Sequence, residues 1–141
     1  MKAILEIFKK NIQRIRNLHA LHGLLESSTT AIIDVSDLLR AEIVLVVSAF
    51  DYYIHEIVRC GILEIFKDER NETASFRCFP VSLEKVKEAI SSPPTFDWLE
   101  QEIINRHGWK TFQQAEKVAE ALRLISDIKI WDEVGRKLGK Q

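Results

Sequence analysis

The pattern of this sequence is that of an all-α helical bundle, five to six helices around a long central second helix. Three observations carry it. In the first 25 residues, Ile4, Phe8, Ile15, Leu18 and Leu25 recur at helical spacing. From Ile43 to Val58 most positions are apolar, in a segment too long for an ordinary strand. Breakers cut the remainder into helix-length pieces, and no strand-like alternation of any length competes.

The first helix covers about the first 25 residues and is the most basic element, with Lys2, Lys9, Lys10, Arg14 and Arg16 mainly off its apolar stripe. Gly23 and the run Ser27-Ser28-Thr29-Thr30 are expected to end it. Ser36 or Asp37 can cap the second helix, because either side chain accepts from free backbone N–H groups. That helix runs to about Lys67. Being apolar almost all round from Ile43 to Val58, it is expected to be buried by neighbours on several sides.

Asp68 to Pro80 reads as a loop whose Phe76 and Phe79 pack back on the bundle. Ser82 caps a short third helix to about Ser91, and Ser-Ser-Pro-Pro at 91–94 breaks it. A fourth helix follows from about Asp97 to Arg106, stopped by Gly108. Thr111-x-x-Gln114 has the capping-box pattern and is expected to open a fifth helix to about Ile125. A last segment, Ile128 to Leu138, carries Trp131.

Composition sets outer limits. A chain of 141 residues is one domain by length, and it can form a core without disulfide or metal staples. Lys plus Arg number 20 and Asp plus Glu 21, and the resulting net charge of -1 argues against a dedicated polyanion binder. Cys60 and Cys78 are too few for a disulfide framework, and they form no CxxC pair. The longest apolar run, Ile43 to Phe50, is broken by Ser48 and falls far short of the roughly 20 residues that span a bilayer. The N-terminus mixes charges into its apolar residues, unlike a signal peptide. The expected location is the cytoplasm, with no membrane partner and no cofactor.

The main candidate site is a polar stripe on the second helix. Arg40, Ser48, Asp51, His55 and Arg59, together with Asp37, fall within one sector of roughly 100°. Glu42 and Glu56 lie outside it. The stripe can be an ion-pair ladder, since Asp51, His55 and Arg59 follow at i,i+4. It can equally be an interface or a site where His titrates near neutrality and Arg holds phosphate. A second candidate, Arg16-Asn17-x-His19-x-x-His22, has no third metal ligand spaced to complete it, and His22 shares the apolar stripe. In the 69–79 loop, Arg70 and Arg77 are weaker candidates for RNA contact, Arg77 lying between Phe76 and Phe79. No metal site and no confident catalytic residue emerges. The chain has no Gly-rich phosphate loop, nucleophile elbow, HExxH or GxGxxG.

The stretch from Asp37 through Asp51-Tyr-Tyr-Ile-His55 to Arg59 resembles the second-helix signature of the RiboL-PSP-HEPN family. Collinear matches follow at Phe76 to Phe79, Trp98-Leu-Glu100, Thr111-Phe-Gln113, Lys117 to Ser126 and Ile130-Trp131. The resemblance covers almost the whole chain. It implies a HEPN-like bundle over residues 1–141, commonly dimeric, linked to RNA processing, repair or defence. It also implies RNA, a second copy or a protein encoded nearby as partners. Catalytic HEPN members are metal-independent endoribonucleases that use an Arg followed by a polar residue and then a His, with four to six residues between Arg and His. The motif is expected on a helix beyond the segment that ends here at Gly139. Arg16 to His22 has the spacing, but at the other end of the chain and with its two side chains facing apart. The 141 residues alone are therefore expected to lack the C-terminal helix and to be non-catalytic, with a dimerising or partner-binding module as the alternative.

Overall fold

The computed structural model describes residues 1–28, 36–91 and 96–139, and among them the chain is entirely helical apart from its connections. The expected all-α class is observed. Seven helices follow in order: α1 (Lys2–Ser28), α2 (Ser36–Phe66), α3 (Ala74–Arg77), α4 (Leu83–Ser91), α5 (Asp97–His107), α6 (Ala115–Arg123) and α7 (Ile130–Lys137). The helix beyond the expected six is α3, a single turn in the segment expected to be a loop. Thr73 starts it by accepting from the Phe76 N–H at 3.0 Å. The chain divides into two compact units, Met1–Tyr53 and Ile54–Gln141, and α2 contributes residues to each.

In the first unit α1 runs antiparallel to the first half of α2. Phe8 stacks on Tyr53 with ring centroids 4.7 Å apart, and His19 Nδ1 meets Glu42 Oε2 at 3.0 Å. Moving 11 residues forward along α1, from Phe8 to His19, moves the partner 11 residues back along α2, from Tyr53 to Glu42. Gly23 does not end α1. Nothing lies within 4 Å of the place a Cβ would take there, and the helix continues to Ser28. Thr29 and Thr30, and the breaker at Pro93-Pro94, lie outside the described residues.

The expectation that Ile43 to Val58 is buried on several sides holds for only one end of that stretch. Ile54 and Val58 are buried, but Ile43 is 66 % exposed, Val44 62 % and Val47 38 %. The cause is the number of neighbours. In its own unit this part of α2 has one partner helix, and one helix cannot cover another that is apolar all round.

The second unit has a dense core. Ile54, Val58, Ile62 and Ile65 lie on one face of α2 and pack in a core with Leu99 and Ile103 of α5, Phe112 of the segment before α6, Val118 and Ala121 of α6, and Ile125. Gly61 belongs to the same helix for a steric reason. A Cβ there would lie 2.6 Å from Ile125 Cγ2 and 2.8 Å from Ile125 Cβ. The end of α6 is held by side chains far away in sequence. Thr73 Oγ1 donates toward the Arg123 and Leu124 carbonyls at 2.9 and 3.1 Å, and Arg70 Nη1 donates to the Ile125 carbonyl at 2.9 Å. These are the carbonyls a helix end leaves without partners. In addition, the Trp131 indole of α7 donates to the Ala115 carbonyl at 3.0 Å.

The capping box at Thr111-x-x-Gln114 does not form. Gln114 is the N-cap, in extended conformation with no side-chain cap bond, and α6 begins at Ala115. Phe112 is only 2 % exposed, so its burial holds residues 110–114 out of helix against their local capping preference.

Because both nearest Ile125 atoms lie close to that side chain's root, Gly61→Ala is expected to shift α2 against the α6 end. The expected cost is about 1–3 kcal/mol, read by urea denaturation against the parent chain.

Candidate functional site

The stripe predicted on α2 is divided between the units: Arg40, Ser48 and Asp51 fall in the first, His55 and Arg59 in the second. Arg40 and Ser48 are exposed, and Asp51 is half-buried. Arg40 Nη1 donates to Asp37 Oδ1 at 2.7 Å, between two largely exposed side chains. Such a pair adds little stability.

Arg59 does not continue a ladder from His55. It grips Glu56 through two bonds, Nε to Oε1 at 3.2 Å and Nη2 to Oε2 at 2.7 Å, and Nη1 bonds Glu100 of α5. Glu56, expected away from the stripe, is therefore its main partner, because one helical turn separates the two. The Glu56 bonds, opposed by partial burial, and the Glu100 charge hold the guanidinium above its usual pKa. Arg59 thus ties α2 to α5. His55 points elsewhere. The Lys110 carbonyl can only accept, so His55 Nε2 carries the proton and donates to it at 3.1 Å. The His55 ring also leans on Phe112, with centroids 4.5 Å apart.

The two loop arginines have protein partners. Arg70 is engaged by Glu64 Oε2 at 3.2 Å and by the Ile125 carbonyl, so it serves the fold. Arg77 is exposed and paired with Glu72 at 2.9 Å. On α1, His22 is buried while Arg16 is exposed, so the pair does not converge. His19 instead faces Glu42, whose Oε1 is buried without a hydrogen-bond partner. No group of three or more His, Cys, Asp or Glu side chains among the described residues is placed to hold a metal.

The structure adds a feature that the sequence analysis passed over. Within the second unit a cavity of about 950 Å³ lies between the Phe79-Pro80 segment, the end of α5, residues 109–114 and α6. His107 is in its lining and is 5 % exposed. Its ring meets Phe79 and Phe112 edge-on, at 5.9 and 6.3 Å, and its Nδ1 has no hydrogen-bond partner. Burial first, then the nearby Lys110 and His55 charges, pushes its pKa down to about 4. Beside it, Glu102 is buried and accepts from Arg106 Nε at 2.7 Å and the Ser82 N–H at 3.0 Å. Burial alone would raise its carboxyl, but those bonds and the Arg106 charge prevail and hold it below the usual range. At the rim, Trp109 is 76 % exposed, and Lys110 Nζ lies 6.0 Å from its ring centroid. The run Arg106-His107-Gly108-Trp109-Lys110 was the available signal, since it concentrates basic and aromatic residues just where a helix stops.

No family model, curated protein or solved structure matches this chain. The cavity's chemistry must therefore be argued from its own residues. A neutral histidine, aromatic walls and cations at the rim suit binding of a ligand with a planar group and negative charge better than they suit a metal ion.

The buried imidazole also sets a pH dependence. An unfolded histidine takes its proton near 6.5, whereas His107 takes it only near about 4. Stability from this group is therefore complete above 6.5 and is lost as the pH falls toward 4. The loss is about 2 kcal/mol after allowing for solvent in the cavity. Denaturation midpoints measured across that pH range are expected to fall less in His107→Gln than in the parent chain.

Proposed function

We propose that this chain is a HEPN-type helical module in RNA processing, repair or defence, acting through self-association and binding rather than by cutting RNA itself. The resemblance along α2 supports the RNA setting. The observation that supports self-association is the exposed apolar stretch on α2, with Ile43, Val44, Leu45, Val46 and Val47 all 38–66 % exposed in the single chain. Exposed apolar surface concentrated in one place marks an interaction site.

The occupant is a second copy of α2. Arg40, Val44, Val47 and Asp51 follow at steps of four, three and four residues, so they share one helix face. The order is self-complementary. If a second α2 lies antiparallel on this face, Arg40 of each copy stands opposite Asp51 of the other, and Val44 opposite Val47. A two-fold interface requires a patch that matches itself in this way. The face also lies away from α1, whose contacts to α2 run through Glu42 and Tyr53. The bond from Arg40 to Asp37 is exposed and is easily exchanged for one across the interface.

Sedimentation across the micromolar range is expected to show a dimer. Val44→Glu is expected to leave a monomer of unchanged helicity. Arg40→Asp and Asp51→Arg are each expected to weaken association about tenfold, and the double variant is expected to restore it. A parent chain that stays monomeric, or a double variant no better than the singles, would reject the antiparallel pairing. With a single-stranded ribo-oligonucleotide the chain is expected to leave the strand intact. Cutting that disappears when ribose is replaced by deoxyribose would overturn the non-catalytic part of the reading.

A further inference from the structure

We infer that the cavity of the second unit is a nucleotide site, with the base stacked on Trp109 and the phosphate held by Lys110. The site lies wholly within residues 79–124 and does not depend on self-association.

Size comes first. About 950 Å³ is at the upper end of the range for small-molecule sites, enough for a base, a sugar and a phosphate together. The walls come next. Phe79, Phe112 and Leu124 make the inner surface apolar and partly aromatic. Trp109 stands at the edge with three-quarters of its surface open, an uncommon exposure for the largest side chain. An indole in that position offers a flat face to any base, and stacking of this kind accepts every base because each has a π face.

Charge narrows the class. Three cations line the cavity, but Arg106 is engaged by Glu102 at 2.7 Å and Lys117 by Glu120 at 3.2 Å. Lys110 has no carboxylate within ion-pair distance among the described residues, although its charge acts on Glu120 from farther off, and its ammonium lies 6.0 Å from the centroid of the same indole. The platform and the available cation are therefore adjacent. A simple anion would leave the indole unused, and an uncharged aromatic would leave the lysine unused. A nucleotide uses both. His107 backs the inner wall as a buried ring in edge-on contact with Phe79 and Phe112. Asn105 and Gln114 add amides able to donate and accept at a base edge. The nucleotide can be a free monophosphate or the end of a single strand, and the two have the same chemistry at this site.

The test uses the full chain with nucleoside monophosphates, adenosine, inorganic phosphate and a short single-stranded ribo-oligonucleotide. Binding is read by tryptophan fluorescence and calorimetry. A monophosphate or the oligonucleotide is expected to bind saturably and quench fluorescence, with adenosine and phosphate each at least about tenfold weaker. Trp109→Ala and Lys110→Ala are each expected to weaken binding about tenfold or more, and Trp109→Phe to keep most of it. Both substituted residues are at the rim, so circular dichroism is expected to be unchanged. Tighter binding of the oligonucleotide than of the monophosphate assigns the site to a strand end, and the reverse order assigns it to a free nucleotide. No saturable binding of either at millimolar concentration overturns the inference. So does binding that both alanine variants leave intact.

Discussion

The last carbonyls of α6 have to be satisfied, and the second unit is organised around the way this is done. A buried carbonyl left without a donor costs about 1–3 kcal/mol, and the three successive carbonyls from the last residue of α6 onward all accept from side chains in part-buried bonds. Their donors come from some fifty residues earlier, Thr73 for Arg123 and Leu124, and Arg70 for Ile125. Those bonds fix the 70–80 segment to α6. They also set the depth at which Ile125 meets α2, where only a glycine at position 61 leaves room. With Thr73 anchored, Phe79 follows into edge-on contact with His107 and becomes one wall of the cavity. The binding feature is thus a by-product of a capping requirement met at long range.

Much of this architecture is written in local pattern. The Ser82 start of α4 and the stop of α5 at Gly108 depend on a cap and a breaker within a few residues, so the sequence carries them. The features that were not legible depend on something distant. Thr111-x-x-Gln114 has a good local reason to begin a helix, but Phe112 has a better one to enter the core. The apolar stretch at Ile43 to Val47 has the composition of a buried helix, yet composition does not count the neighbours available to bury it. Arg70 looked like a candidate for RNA contact because nothing in sequence reveals a carbonyl 55 residues away.

The candidate site was legible only in part, for a related reason. Stepping around α2 places Arg40, Ser48, Asp51, His55 and Arg59 on one side, but a helical wheel does not show what stands opposite. The structure turns His55 to the Lys110 backbone and Arg59 to Glu56 and Glu100, which makes both of them supports. His55 still bears on the cavity indirectly, because it holds the carbonyl of the lysine at the rim and backs Phe112 in the wall.

The face of α2 formed by Ile54, Val58, Ile62 and Ile65 has a consequence in time as well as in space. Its partners, from Leu99 to Ile125, lie in the last third of the chain. On a ribosome that makes the protein from its N-terminus, α1 can meet α2 as soon as α2 has emerged. The isoleucine face must then wait, uncovered, while some thirty to sixty further residues are added, at a rate that takes several seconds. Nascent chains of this design therefore spend much of their synthesis as a finished hairpin attached to an unfinished core. That interval is when they are most open to chaperones, or to pairing with another copy before the second unit exists.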